Sequence, residues 1–91
     1  IRESAAVDII QELERWQADI CYHDPHVPTL TVGEQTYTSV PLAAAVGEVD
    51  CAVIVTDHTA IDITEVVESA PRVFDTRNAT AGLDAAHITR L

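Results

Sequence analysis

Apolar residues recur at helical spacing from Ala6 through Ile9, Ile10 and Leu13 to Trp16, with Asp8, Gln11, Glu12 and Arg15 largely on the other side. This predicts an amphipathic helix over 4–17, with Ser4 as N-cap and the stripe as its core face. ADICYHD (18–24) reads as a strand centred on Ile20, Cys21 and Tyr22, stopped by DPHVP (24–28). Each proline there removes a donor and restricts the residue before it. TLTVGEQTYTSV (29–40) is polar and β-branched, a loop with a short extended piece. PLAAAV (41–46) reads as a short helix with Pro41 at its first position and Gly47 near its end.

The clearest strand is VDCAVIVTD (49–57). Its apolar run from Cys51 to Val55 suits a central parallel strand covered on both faces. Asp62, with Glu65 three residues on, forms a capping-box pattern, and Ile61 with Val66 fits a hydrophobic staple. The helix they start runs to about Ala70 and stops at Pro71. RVFD (72–75) is the next strand, TRNATAGLDAA a loop with at most a turn of helix, and HITRL (87–91) a faint last strand. Alternating helices and strands predict an α/β sandwich with a mainly parallel sheet. The chain opens on a helix where a doubly wound sheet opens on a strand, so a first central strand is expected to be missing or supplied by another chain.

Composition narrows the function classes. The chain has 91 residues, a size that makes one small domain with a modest core. Five arginines and no lysine face fifteen acids, for a net charge of −10. That balance disfavours nucleic acid and anionic lipid, which need clustered cations. Acids spread over an ordinary 47% apolar chain without lysine suggest adaptation to high salt, where screening relieves self-repulsion. No run of 18 apolar residues and no basic leader followed by an apolar stretch is visible, which favours a cytoplasmic setting. Cys21 and Cys51 lie in apolar stretches and are expected to be core thiols.

Ligands of open parallel sheets sit beyond the carboxyl ends of the strands. That rule selects His23 and Asp24, then Asp57 and His58, then Asp75, Thr76, Arg77 and Asn78. The start of the first helix (Arg2, Glu3, Ser4) joins them if a strand precedes it, because helix N-termini and arginine favour anions. Each candidate has a plainer role. The His23, Asp24, Pro25, His26 run fits no standard metal spacing and more simply marks a turn. Asp57 and His58 could form an acid–base pair, but adjacent side chains at a strand end usually diverge and Asp57 more simply caps the turn, while Asp75 suits hydrogen bonds to local backbone. Arg77 more simply pairs with a nearby acid, the usual role of one arginine in an acidic protein.

Four stretches in order, IRESAAVDII (1–10), ADICYHDPHVP (18–28), VDCAVIVTDHTAI (49–61) and RVFDTRNA (72–79), resemble the C-terminal, UDP-binding domain of the UDP-glucose/GDP-mannose dehydrogenase family. The H-D-P and D-T-R-N forms lean towards the branch that oxidises UDP-N-acetylhexosamines such as UDP-N-acetyl-D-mannosamine. The resemblance implies a Rossmann-like three-layer α/β sandwich. It implies a place in an enzyme that uses NAD to oxidise C6 of a UDP-sugar to the carboxylate, in polysaccharide biosynthesis. It implies an N-terminal NAD-binding domain as partner and self-association of the parent. By the same resemblance Arg2 lies on the NAD side of the cleft and Arg77 contacts the nucleotide sugar.

The chain departs from the family at Ala5, where a proline is usual. It lacks the family's Gly-rich cysteine motif, which neither Cys21 nor Cys51 matches, and it lacks G-x-G-x-x-G. Residues 1–91 are therefore expected to be one UDP-sugar-binding domain of a larger dehydrogenase, inactive alone. The competing reading is a stand-alone Rossmann-like regulatory or protein-interaction module. An upstream G-x-G-x-x-G domain separates the two.

Overall fold

A computed structural model describes the backbone of residues 2–56 and 60–90, and the side chains from residue 5 onward within them. The chain divides into two compact units, Ile1–Val40 and Pro41–Leu91. Its elements mix α and β in the pattern of a Rossmann-like α/β protein, with a parallel sheet in the second unit and an antiparallel hairpin in the first.

The first unit packs α1 (Arg2–Arg15) with a hairpin of β1 (Thr29–Val32) and β2 (Gln35–Thr38). The helix starts earlier than its expected cap, so Ser4 lies within the first turn. It ends in a Schellman motif: Ala18 N donates to Leu13 O (3.1 Å) and Gln17 N to Glu14 O (2.9 Å). Gln17 takes the left-handed conformation at φ 62°, a position that favours glycine. Because regular helix stops at Arg15, Trp16 falls off the apolar stripe and is 79% exposed. It is not the core residue that its spacing suggests.

Residues 29–38 form the hairpin where a loop with one short extended piece was expected. Val32 pairs with Gln35 across a two-residue turn whose first residue, Gly33, sits at φ 61°. Glycine at that position matches the twist of paired strands. Val32 is buried with Ile10, and the Tyr37 hydroxyl donates to the Glu14 carboxylate, tying hairpin to helix. That bond raises the Tyr37 pKa.

Residues 18–24, expected as a strand, are irregular. An extended segment becomes a strand only where a neighbour takes up its ladder. Here Val40 N donates to Tyr22 O (3.0 Å) from across the unit, and side chains add further bonds. His23 donates from Nδ1 to Val40 O (2.8 Å), and Ser39 Oγ accepts from Asp24 N (2.9 Å). The Asp24 carboxylate accepts from His26 N (2.8 Å), and Tyr22 donates to Val27 O (2.7 Å). The proline segment is a braced turn.

The second unit runs α2 (Leu42–Gly47), β3 (Ala52–Ile54), α3 (Ile63–Ser69), β4 (Val73–Asp75) and β5 (Ile88–Arg90). The sheet is parallel in the order β3-β4-β5. Val46, Ile54, Val66, Ala70 and Val73 form its core. Asp62 caps α3 as its sequence predicts, accepting from Glu65 N at 3.1 Å. β3 differs from its expectation twice. Its regular part is three residues long, since its partner β4 offers only Val73–Asp75 to pair with, and among the described residues β4 is the middle strand. Val73 is accordingly 1% exposed. Both cysteines are exposed, because Cys21 lies in the irregular segment and Cys51 precedes the first paired residue of β3. They are not core thiols.

Candidate functional site

The carboxyl end of β4 gathers the unit's buried polar chemistry. Asp75, its last residue, and Thr80 are wholly shielded from water. A carboxylate in that position needs partners for both oxygens, and the following turn supplies them. Oδ1 accepts from Arg77 N (3.0 Å) and Ala79 N (3.1 Å), and Oδ2 accepts from Thr80 N (2.8 Å) and the Thr80 hydroxyl (2.6 Å). Burial pushes the Asp75 carboxyl up. The Thr80 hydroxyl, then the Thr80, Arg77 and Ala79 amides, outweigh burial and bring it down to about 2. Asn78, at φ 58°, adopts the left-handed conformation that asparagine tolerates in turns.

Neighbouring strands brace the same turn. Thr76 donates from its amide (3.0 Å) and its hydroxyl (2.7 Å) to Ile54 O at the end of β3. Arg90 stands opposite Asp75 in the parallel register of β5. It donates from Nε to the Thr80 hydroxyl (3.0 Å) and from Nη2 to Thr80 O (2.9 Å) and Leu83 O (2.5 Å). A chain of polar groups thus runs from the Arg90 guanidinium through the Thr80 hydroxyl to the Asp75 carboxylate.

This arrangement decides what the turn can offer a ligand. Three of its amides converge on Asp75, an internal anion seated in a backbone concavity of the kind that elsewhere binds phosphate. The amides of Arg77, Ala79 and Thr80 are therefore committed, and recognition falls to side chains. Arg77 and Asn78 are exposed, and among the described residues the Arg77 guanidinium has no carboxylate within 4.0 Å. The plain reading of Asp75 as a backbone cap is correct, and the ion-pair reading of Arg77 finds no partner among those residues.

The sequence of the UDP-binding domain of UDP-glucose/GDP-mannose dehydrogenases matches residues 1–82. The chain belongs to this dehydrogenase family. Neither the curated proteins nor the solved structures give a match. The family's domain as matched includes Asp75, Arg77 and Thr80, while Arg90 lies beyond it.

The other candidates divide cleanly. His23 and Asp24 are spent on bracing their turn, and among the described residues no three His, Cys, Asp or Glu side chains are placed to hold a metal. Asp57 and His58 lie outside the described residues, as does the side chain of Arg2, the first residue of α1. The chain's three glycines, Gly33, Gly47 and Gly82, are too scattered to build a dinucleotide loop for NAD. The described residues do not by themselves fit a dinucleotide. Thr80 and Arg90 were not among the sequence candidates. The available signal was an acid and an arginine at corresponding ends of two adjacent predicted strands. Among the described residues no helix is long and apolar enough to cross a membrane.

Proposed function

We propose that residues 1–91 are the nucleotide-sugar-binding domain of an NAD-dependent UDP-sugar 6-dehydrogenase, and that Arg77 binds the UDP-sugar. The carrying observation is the Asp75 turn. It places an exposed arginine, with no acid partner among the described residues, at the carboxyl end of the middle strand of a parallel sheet. A guanidinium there can grip a pyrophosphate through two parallel N–H bonds. The anchored backbone limits the conformational entropy lost when it does so.

In this reading NAD is bound mainly by an N-terminal partner domain, the catalytic cysteine belongs to a Gly-rich motif elsewhere in the same enzyme, and Arg2 serves the NAD side of the cleft. The resemblance of the His23-Asp24-Pro25 and Asp75-Thr76-Arg77-Asn78 forms to one branch of the family leans towards UDP-N-acetylhexosamine rather than UDP-glucose as the sugar. Self-association of the parent and a cytoplasmic setting complete the proposal. Calorimetric titration of UDP at high salt tests it. Arg77→Ala weakens binding about 10- to 100-fold, the effect of losing a charged hydrogen-bonding partner. Arg77→Lys recovers part of that affinity, and Arg72→Ala, just before the opposite end of β4, leaves it unchanged. Equal affinity of Arg77→Ala and the parent chain overturns the assignment.

A further inference from the structure

We infer that Thr80 and Arg90 are positioning residues for the Arg77 turn, a role that rests on Arg77 being the ligand contact. The turn is folded around Asp75, and among the described residues Thr80 is what links Asp75 to a side chain outside the turn. The Thr80 hydroxyl has one proton to give and gives it to Asp75 at 2.6 Å. Its lone pairs take the Arg90 Nε–H at 3.0 Å. The same guanidinium holds the carbonyls of Thr80 and Leu83, so one cation fixes the downstream leg of the turn at two places. Leu83 N donates back to Thr80 O at 2.9 Å, closing that leg on itself.

Parallel register makes this geometry possible. Residues paired across a parallel ladder project to the same side of the sheet, and Arg90 is the partner of Asp75. The guanidinium sits one hydroxyl away from the carboxylate and makes no direct ion pair with it among the described residues. Two properties follow. The Asp75 carboxylate stays free to accept all its bonds from the turn that carries Arg77. The Arg90 fork meanwhile prevents the turn from peeling off the sheet edge. A lysine has no fork and cannot hold three acceptors in fixed directions.

The test pairs amide exchange with UDP calorimetry on the full chain. Arg90→Ala should speed exchange of the Arg77, Ala79 and Thr80 amides about tenfold or more, while the Val73 amide in mid-sheet keeps its protection. It should also weaken UDP binding about tenfold, and Arg90→Lys should recover only part of this. Thr80→Val should reproduce both effects and Thr80→Ser neither. In an Arg77→Ala background Arg90→Ala should cost no further affinity, which separates positioning of Arg77 from a general loss of structure. Where Arg90→Ala unfolds the unit, Arg90→Gln carries the test. Unchanged exchange at the three amides, or an undiminished UDP effect of Arg90→Ala in the Arg77→Ala background, overturns the inference. An Arg77→Ala chain with full UDP affinity overturns the ligand reading instead, and the exchange data still report whether the clamp exists.

Discussion

Asp75→Asn replaces one atom in a polar group wholly shielded from water. The carboxylate accepts four hydrogen bonds from the turn. An amide keeps one oxygen and turns its other end into a donor, so whichever way it sits it faces two N–H or O–H groups that need acceptors. Orphaning two donors at a buried site costs about 2–3 kcal/mol. The depressed pKa gives a second route to the magnitude. A fall from the ordinary aspartate value to about 2 corresponds to roughly 2.5 kcal/mol by linkage. Only a surface turn covers the group, and screening by the nearby solvent lowers that to about 1–2 kcal/mol. Because the folded value is depressed, this stabilisation is full above the unfolded aspartate pKa and is lost as pH falls towards about 2. The variant should therefore unfold about 2 kcal/mol earlier at pH 7, or about 10 °C for a domain of this size. The gap should narrow by about 1–2 kcal/mol between pH 5 and pH 2. Urea unfolding at fixed high salt, across that pH range, measures it. A gap below about 0.5 kcal/mol at pH 7, the scatter of an ordinary surface substitution, or a gap independent of pH, refutes the account of Asp75.

Three further outcomes follow from single residues. Gln17→Gly relieves a non-glycine residue at φ 62° in the Schellman motif of α1 and should stabilise the first unit by about 0.5–1 kcal/mol, read by urea unfolding. Asp62→Ala removes the side chain that accepts from Glu65 N and should cost about 1 kcal/mol, with exchange rising first at the α3 amides. Cys21 and Cys51 should both react with a thiol reagent in the folded chain, whereas slow labelling relieved only by denaturant contradicts their exposure.

The parts of the fold that were legible in the sequence are those held by local chemistry. The Asp62 cap and the short α2 after Pro41 each follow from residues within a turn or two of themselves, and β4 and the brief β5 are strand-like segments that do find a ladder partner. The misread parts depend on what stands beside a segment. Residues 18–24 have strand residues but no ladder partner among the described residues, and the turn they enter is held by Ser39 and Val40 from the far side of the hairpin. Residues 29–38 have only a thin apolar pattern, and their strands exist because Gly33 lets them pair. Trp16 obeyed the helical period but lies one residue past the last helical one. The site was half legible. Strand-end position marks Asp75 and Arg77, and the family resemblance gives Arg77 its ligand. Thr80 and Arg90 become visible only once the register sets β5 against β4.

The central claim is that the Asp75 turn presents Arg77 to a UDP-sugar, and mapping UDP onto the chain by NMR tests it most directly. UDP added at high salt should shift the amides of residues 76–80 and the Arg77 side-chain Nε–H resonance most, with residues 2–15 unmoved. No shift in the turn, or shifts centred on another element with the Arg77 resonance unchanged, contradicts it.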